Sequence, residues 1–359
     1  MKSAYLMAAM PAGVFLRVLL RNGITPAPRF LLRTLFILQS GIFASFLAFR
    51  ERMINGGRIA QARPPSDPLI IVNHWRTGST LLHQLINCDP QFAAPTLFQV
   101  TYPASFMSSR IFVEPIMKPM LLPTRPMDNV RLGMDEPMEE EDAMFRMTGL
   151  SPLERLLFAR SGSYFLIDDQ TFLPAAPSRE RWERALLHFT AKLGLHTGRR
   201  IVLKNPFHSM RIAVLRRLFP EAKFIHIVRD PRTVIPSTVR MWSIVGRQNA
   251  MNRRFRPPSM GEVIEVFDRM VMRIRADLGA LTQDRFAEIR FEDLVKRPVE
   301  VIRGAYERLN LVFSDQCEGR MRRFVDSITG YKMNSYALSA EQERIIRARL
   351  AHHIERDGY

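Results

Sequence analysis

Short β-rich runs alternate with helical stretches from about residue 69 onwards, and this alternation constrains the fold more than any other feature of the chain. Three pairs of a run and its helix can be read: Leu69 to Val72 with a helix from Ser79, Ile201 to Leu203 with a helix through Leu215, and Phe224 to Val228 with Val234 to Trp242. Strands that alternate with helices form a parallel sheet with right-handed crossovers, which binds ligands at the carboxyl ends of its strands. The sequence therefore predicts an α/β fold, a central parallel sheet flanked by helices, with a ligand site at one sheet edge.

The N-terminal part of the chain has a different character. Residues 30–49 read FLLRTLFILQSGIFASFLAF, a run that approaches the length of a bilayer span but is interrupted by Arg33, Gln39 and Ser40. Basic residues surround the run, so it fits a helix lying in the membrane interface, with Phe30 and its apolar neighbours among the acyl chains. A membrane span is the second interpretation and an ordinary core helix is the third.

A polar, proline-containing stretch from Gly56 to Pro68 follows this run and leads into the part of the chain that carries the alternating pattern. We therefore expect an N-terminal helical extension over residues 1–60, associated with a membrane, and a catalytic domain over residues 61–359. No clean signal peptide precedes them, because Arg17 breaks the first apolar run.

Charge and composition narrow the classes of function. The formal net charge of +17 suits an anionic ligand, a nucleic acid or an anionic membrane surface. No basic stripe interleaved with aromatics and no nucleic-acid-binding module is present, so no nucleic-acid partner is expected. Cys88 and Cys317 are too few for a disulfide framework and favour a reducing, cytoplasmic compartment. The histidines show no HExxH or Cys/His pattern, so no metal site is expected.

The segment LIIVNHWRTGSTLLHQLI is a strand, a turn and the start of a helix. Arg76, Thr77, Gly78, Ser79 and Thr80 occupy the turn and the first helical positions. A helix N-terminus offers unpaired N–H groups, glycine lets a phosphate approach the backbone, and the hydroxyls and the guanidinium add donors. A Walker A loop would place lysine directly after the glycine, where serine stands here. A helix that is merely capped by Ser and Thr is the alternative.

A second segment, EAKFIHIVRDPRTVIPSTVRMW, is a strand that ends in Arg229, with Ser237 on the following helix. The guanidinium can bind a phosphate through two charge-assisted hydrogen bonds, and the hydroxyl can donate a third. The alternative to a phosphate-binding pair is an exposed arginine at a strand end and a helix serine that is unrelated to it. Two such motifs in one chain, about 150 residues apart, favour a phosphate-binding site over coincidence.

These segments resemble the sulfotransferase family. HWRTGSTLL is similar to its 5′-phosphosulfate loop, and the Arg229 segment is similar to its 3′-phosphate element. The resemblance runs from about Pro68 to Tyr336, and RPMDNVRLGMDEPMEEEDAM and PTLFQVTYP resemble a bacterial membrane-linked branch. It implies a P-loop-like three-layer fold and sulfuryl transfer from 3′-phosphoadenosine 5′-phosphosulfate (PAPS) to a hydroxyl or amine. It also makes Lys332, in ITGYKMNSY, a candidate for a late contact to the 3′-phosphate, with a solvated lysine as the favoured alternative.

Several side chains are candidates for the chemistry that the resemblance implies. Lys204, at the end of the run IVLK, is the candidate for stabilising charge on the leaving phosphate. His208 is the first candidate for the general base, because histidine is poised for proton transfer near neutral pH. The run Glu139, Glu140 and Glu141 is the second, although such runs are usually solvated helix faces.

Two further positions complete the candidate set. His83, one turn into the first helix, can face the nucleotide or simply pack in the core. Related enzymes place a glutamate base shortly after that helix, where this sequence has Gln99, which cannot accept a proton usefully. The base is therefore a histidine or a carboxylate from elsewhere.

The alternatives to a sulfotransferase are a kinase that uses a nucleoside triphosphate and a nonenzymatic membrane-associated nucleotide-binding protein. A kinase needs a phosphate-loop lysine and a magnesium carboxylate; Asp230 resembles the second, but the lysine is absent. A binding protein would lack the lysine and the base. The apolar, basic N-terminus favours a lipid or another amphiphilic hydroxyl compound as the acceptor.

Overall fold

A computed structural model gives the structure of residues 6–125, 130–160, 164–328 and 338–359. Within these ranges the elements, in chain order, are α1 (Ala12–Asn22), α2 (Pro28–Gln61), β1 (Leu69–Val72), α3 (Ser79–Asn87), β2 (Phe92–Ala93), α4 (Leu97–Thr101), α5 (Arg110–Met117), α6 (Glu141–Thr148), α7 (Leu153–Leu157), α8 (Ser178–Thr197), β3 (Arg200–Lys204), α9 (Ile212–Leu218), β4 (Lys223–Val228), α10 (Pro231–Asn249), α11 (Met260–Gly279), β5 (Phe286–Arg290), α12 (Phe291–Lys296), α13 (Pro298–Arg308), α14 (Asp315–Ser327) and α15 (Ala340–Asp357). Short 3-10 helices lie at Lys118–Met120, Pro206–Met210 and Gln283–Arg285.

β1 lies in the middle of a parallel sheet whose strand order, in the described residues, is β2-β3-β1-β4-β5. All four residues of β1 are buried, as expected for a central parallel strand that is covered on both faces. The predicted strands correspond to β1, β3 and β4, and the helices that follow them correspond to α3, α9 and α10. The predicted α/β fold, with its parallel sheet flanked by helices, is confirmed.

The chain divides into two compact units. The helical unit consists of Met1–Pro65, Pro95–Gly198 and Ser243–Pro257, and the sheet unit consists of Ser66–Ala94, Arg199–Trp242 and Pro258–Tyr359. Residues 1–60 thus belong to the same unit as later helices such as α6 and α8. The division into an N-terminal extension and a catalytic domain stays a prediction.

The core of the sheet unit lies between the sheet and α3, α13 and α14. Its buried side chains come from strands and helices alike and include Leu69, Ile71, Leu82, Ile86, Val202, Ile225, Ile289, Ile302, Tyr306, Leu309 and Met321. Burial of such side chains stabilises the unit by about 1.5–3 kcal/mol each before the cost of ordering. This packed core fixes the strand ends at which the predicted site residues lie.

α2 is the longest helix of the helical unit, and it is long and apolar enough to cross a membrane by length and composition. Two serines that interrupt the apolar sequence of α2 bind the backbone at the start of α1 and just before it. Ser40 Oγ accepts a hydrogen bond from Ala9 N (3.1 Å), and Ser45 Oγ accepts one from Ala12 N (3.0 Å). A Cβ atom on Gly41 would lie 2.3 Å from the carbonyl oxygen of Met10, so only glycine allows this close approach.

Two expectations about this region need correction. Phe30 is buried within the protein and does not present itself to acyl chains. The expected linker is also shorter than predicted, because α2 continues through Gly56 and Gly57 to Gln61. Each glycine costs a helix only about 1 kcal/mol, and the packed face that includes Asn55 extends to this part of α2.

Candidate active site

The loop between β1 and α3 is held by hydrogen bonds among its own polar groups and with Ser209, which lies in the 3-10 helix after β3. Asn73 N donates to Ser209 Oγ (2.8 Å), and that hydroxyl donates to the carbonyl oxygen of Asn73 (2.9 Å). Asn73 Nδ2 donates to Ser79 Oγ (2.9 Å), and Thr77 Oγ1 donates to the carbonyl oxygen of His74 (2.9 Å). The Thr77 hydroxyl therefore closes the loop, whereas Ser79 accepts a bond and keeps its own proton to donate.

Left-handed backbone angles shape the same loop. Gly78 has φ +92° and Arg76 has φ +69°. A Cβ on Gly78 would lie 2.0 Å from Cδ2 of Phe291, so a side chain cannot be accommodated there without movement. Ser79 and Thr80 follow as the first two residues of α3, whose first N–H groups have no partners within the helix. The loop thus combines a close backbone approach with a helix N-terminus.

The two predicted phosphate motifs lie in direct contact. Arg76 Nε donates to Ser237 Oγ (2.9 Å), and Arg229 Nη1 donates to the carbonyl oxygen of Arg76 (3.1 Å). The guanidinium of Arg229 lies over the ring of Phe291, 4.1 Å from its centroid. Burial lowers the pKa of Arg229, Glu292 opposes this shift, and the charge of Arg76 adds to it. The structure brings both motifs into one basic cluster.

Phe291 is a residue that sequence reasoning missed. Its ring lies where a Cβ atom on Gly78 would fall, and the guanidinium of Arg229 lies over the same ring. It is the first residue of α12, directly after β5. An aromatic residue at the carboxyl end of a parallel strand was the available signal, because such ends meet at one edge of the sheet.

Asp230, which superficially resembles a magnesium carboxylate, serves a different purpose in the structure. Its Oδ1 accepts a hydrogen bond from Arg232 N at the start of α10, and both carboxylate oxygens accept from the Arg232 guanidinium at 2.7–2.9 Å. A carboxylate at a helix N-terminus is stabilised by the helix dipole. These contacts account for Asp230 without a metal.

Lys204 is the last residue of β3, and His208 follows the strand at the same sheet edge. Lys204 is opposite Ile71 in the parallel register and only 3% exposed, so it is not the surface lysine that a strand end would usually carry. His208 lies in the 3-10 helix Pro206–Met210, which Asn205 caps by accepting a bond from Phe207 N (3.0 Å). The imidazole of His208 is fully buried.

His83 is buried on the inner side of α3, and its Nε2 has no hydrogen-bond partner among the residues that the structure describes. Burial lowers its pKa well below 6.5, and the charge of Lys204 adds to this effect. His74, which the sequence did not single out, is also buried, and burial lowers its pKa to about 3 against a hydrogen bond to the carbonyl oxygen of Trp75. Both imidazoles are neutral at pH 7.

The run Glu139–Glu141 lies in the helical unit and is mostly not the solvated face that such runs usually form. Glu139 is partly exposed, whereas Glu140 and Glu141 are buried at the N-terminus of α6. Glu141 Oε1 accepts a hydrogen bond from Ser151 Oγ (2.7 Å). The positive end of the α6 dipole favours carboxylates here.

Gln99 has a structural role at the N-terminus of α4, which either an amide or a carboxylate could fill. Thr96 N donates to Gln99 Oε1 (2.9 Å) and Gln99 N donates to Thr96 Oγ1 (3.3 Å), which together form the capping box of α4. Lys332, the predicted late contact to a 3′-phosphate, lies outside the described residues.

Asp268, His352 and His353 bring three potential metal-ligating atoms within 4.8 Å of one another. Arg275 Nη1 lies 2.6 Å from His353 Nδ1, and a guanidinium can only donate, so Nδ1 accepts. Nε2 of His353 therefore carries the proton and donates to Asp268 Oδ1 (2.8 Å). This hydrogen bonding uses the nitrogen that a metal ion would need.

The parallel sheet and the basic cluster at its edge agree with what comparison with known proteins shows. The profile of the sulfotransferase family matches residues 68–315. The chain therefore belongs to the sulfotransferase family and is an enzyme that transfers sulfuryl groups. The resemblance predicted from the sequence is confirmed.

Particular relatives agree with this assignment. The chain is 32% identical over 318 residues to the omega-hydroxy-beta-dihydromenaquinone-9 sulfotransferases Stf3 of Mycobacterium bovis and Mycobacterium tuberculosis, covering 88% of this chain and 81% of each relative. In fold it is similar to sulfotransferase STF9 from Mycobacterium avium, with a TM-score of 0.68, 17% identity and 98% of both chains covered. STF1 from Mycobacterium tuberculosis gives a TM-score of 0.57 at 18% identity, with 98% of this chain and 93% of that chain covered.

Proposed function

We propose that this enzyme transfers the sulfuryl group of PAPS to a hydroxyl of a lipid or another amphiphilic acceptor and releases 3′,5′-adenosine bisphosphate. The observation that carries the proposal is the contact between the two motifs, in which Arg76 bonds Ser237 and Arg229 bonds the backbone of Arg76. One cluster can thus hold phosphates at both ends of a single nucleotide. The relatives named for sulfating a menaquinone derivative support a lipid acceptor.

The residues present fit this donor. The 5′-phosphosulfate can come close to the backbone at Gly78, which has no side chain, and can accept hydrogen bonds from the first N–H groups of α3. The hydroxyls of Thr80 and Ser79 would add donors. Arg229 and Ser237 would hold the 3′-phosphate, and we expect Lys332 to contribute to the same end of the nucleotide. An adenylate without the 3′-phosphate would forgo these last contacts.

Lys204 would stabilise the reaction where charge develops. As the acceptor oxygen bonds to sulfur and the bond from sulfur to the leaving phosphate breaks, negative charge grows on that phosphate. A cation that is largely excluded from water interacts with this charge more strongly than a solvated one. We expect Lys204→Gln to lower turnover far more than it lowers affinity for the bisphosphate.

The general base takes the proton of the acceptor hydroxyl, and we propose His208 for this role, with Glu139 or Glu140 as the competing source. We expect His208→Gln to lower turnover about 10²- to 10⁴-fold while bisphosphate affinity stays within about twofold. Glu139→Gln and Glu140→Gln test the competing carboxylates in the same assays. Near-normal turnover in His208→Gln, together with lost turnover in either glutamate variant, would assign the base to the carboxylate run.

The experiment that tests the donor is calorimetry with 3′,5′-adenosine bisphosphate and 5′-adenosine monophosphate. Loss of a charge-assisted contact costs about 1.5–3 kcal/mol, so Arg229→Ala should weaken bisphosphate binding about tenfold or more and hardly change monophosphate binding. Arg232→Ala, which removes a neighbouring arginine already paired with Asp230, is the control and should leave the preference intact. Equal affinity of the unmodified enzyme for the two nucleotides would refute the donor assignment.

The acceptor can be identified directly. We expect purified enzyme, incubated with labelled PAPS and a membrane lipid extract, to transfer label to a lipid that mass spectrometry shows to be a sulfate ester. Label that appears only on a water-soluble phenol or carbohydrate, offered in parallel, would contradict the lipid acceptor while leaving the donor assignment standing.

We also propose that the enzyme is cytoplasmic and held on a membrane by α2 without crossing it. One face of α2 is buried in the helical unit, and this face carries Glu51, which pairs with the equally buried Lys192. A span would require these charged groups to leave their partners and enter hydrocarbon, which is costly. An interfacial helix requires no such rearrangement.

A further inference from the structure

The face of α2 opposite to its buried side is also apolar. Leu35, Ile42, Phe46, Phe49 and Met53, which we call the α2 stripe, are each 59–70% exposed. Their spacing of three, four and seven residues places them on one face, offset by about half a turn from the buried positions. An amphipathic helix packed on its own protein would expose polar residues there instead.

A second apolar surface belongs to α5 and the 3-10 helix that follows it. Ile111, Phe112, Ile116 and Met120, which we call the α5 patch, are each 45–75% exposed. Val113 is the only apolar residue of α5 that faces inward as a buried side chain. The eight residues of α5 are too few for a visible periodic pattern, so the sequence alone does not show this segment to be a surface element.

Polar contacts fix the start of α5 beside the middle of α2. Arg50 Nη1 donates to the carbonyl oxygen of Ser108 (2.9 Å), and the Arg50 guanidinium lies over the ring of Phe112, 4.8 Å from its centroid. Glu51 Oε2 accepts from Ser108 N (2.8 Å) and Ser108 Oγ (2.9 Å). The α5 patch therefore begins beside Arg50, the residue that follows Phe49 of the α2 stripe.

Charge distinguishes between possible occupants of this surface. Residues 1–65 contain nine basic residues against one acidic residue, and that residue, Glu51, is buried. Arg29, Arg52 and Arg58 of α2 are exposed, and so is Lys118 after α5, whose Nζ lies 4.0 Å from Glu114 Oε1. An apolar surface bordered by exposed cations complements the boundary between acyl chains and anionic headgroups.

We propose that the α5 patch and the α2 stripe form one continuous surface that inserts into an anionic bilayer, with α5 as a second attachment point that sets how the helical unit lies on the membrane. The inference rests on the proposed function only in that the acceptor is a lipid. Two attachment points restrict rocking of the helical unit about the axis of α2 more tightly than a single interfacial helix does.

The test is flotation of the full chain with vesicles of equal parts phosphatidylglycerol and phosphatidylcholine, compared with phosphatidylcholine alone. The patch variant Ile111→Ser/Ile116→Ser should lower the partition coefficient about tenfold or more, since two large apolar side chains lose their burial. The stripe variant Phe46→Ser/Phe49→Ser should do the same. Val312→Ser, which alters an exposed apolar side chain of the sheet unit, is the matched control and should float like the unmodified enzyme.

Each outcome is informative. A patch variant that partitions within about twofold of the unmodified enzyme overturns the inference, even if the stripe variant fails to bind. A protein that ignores vesicles but forms a dimer which the patch variant dissociates also overturns it, since a second copy then covers the surface. Transfer to a short-chain, water-soluble alcohol without vesicles should be equal in all variants. If the unmodified enzyme transfers no sulfuryl group either to this alcohol or to the membrane lipid extract, the proposed function fails, whereas the flotation result stands by itself.

Discussion

Replacing Gly78 with alanine tests whether the phosphate loop depends on the contact between its glycine and an aromatic ring. The new Cβ would lie 2.0 Å from Cδ2 and 2.3 Å from Cε2 of Phe291, and the residue would keep φ +92°. A left-handed angle costs an L-residue about 1–2 kcal/mol, and overpacking typically costs about 1–3 kcal/mol. Together these effects amount to about 2–5 kcal/mol.

The loop can relieve this strain only by moving away from its phosphate-binding shape, so the cost should appear as lost nucleotide affinity. We expect Gly78→Ala to bind 3′,5′-adenosine bisphosphate at least about thirtyfold more weakly in calorimetry. Adding Phe291→Ala removes the steric part of the cost but not the angular part. The double variant should therefore bind more tightly than Gly78→Ala, which is a non-additive result.

The control for this series is Gly304→Ala, at a solvent-exposed position in the middle of α13, where a new Cβ meets nothing within 4 Å. It should stabilise the protein by about 0.5–1 kcal/mol in urea unfolding and leave affinity unchanged. Unchanged affinity in Gly78→Ala, or losses that simply add in the double variant, would refute the steric reasoning.

Two further predictions concern stability. Glu51→Gln leaves the buried ammonium of Lys192 without its counter-charge, so the free energy of unfolding should fall by about 3–5 kcal/mol in urea titrations. The double variant Glu51→Gln/Lys192→Met should recover part of this loss. Full stability of the single variant would contradict the pairing. Burial lowers the pKa of His74 to about 3 and that of His353 to about 4, so the unfolded chain binds protons below pH 6.5 that the native protein does not. Stability should therefore fall as the pH decreases from about 6.5 towards 4, by about 1.4 kcal/mol per pH unit for each histidine. His353→Gln should lower the slope of stability against pH by about 1.4 kcal/mol per pH unit, which is the contribution of one proton. An unchanged slope would show that His353 is protonated in the native protein over this pH range.

The parts of the fold that were predictable from the sequence depend on local patterns. The continuous apolar run of β1 and the glycine before α3 identify a strand and a tight turn from neighbouring residues alone. Arg229 and Ser237 follow from the same reasoning, because a strand end and a helix position one or two turns later are set by local geometry. Their meeting with Arg76 follows from parallel strands ending at one edge.

The parts that were not predictable depend on contacts between distant segments. Phe291 contacts Gly78 only because β5 pairs with the sheet, so this contact cannot be predicted from the sequence around either residue. The burial of Glu140 and Glu141 depends on where α6 begins and on Ser151, which a charge run by itself does not reveal. The α5 patch depends on how Glu51 fixes Ser108.

The contact between Arg76 and Arg229 has a practical consequence for work with this enzyme. Two guanidiniums lie in one small neighbourhood, where the charge of Arg76 opposes the charge of Arg229. Any doubly charged anion that touches both turns this repulsion into attraction, so it stabilises the native protein by mass action. The melting temperature should then follow the identity of the buffer anion rather than the ionic strength. Sulfate and phosphate should raise it where chloride does not, and kinetic measurements in phosphate buffer should underestimate the affinity for the sulfuryl donor.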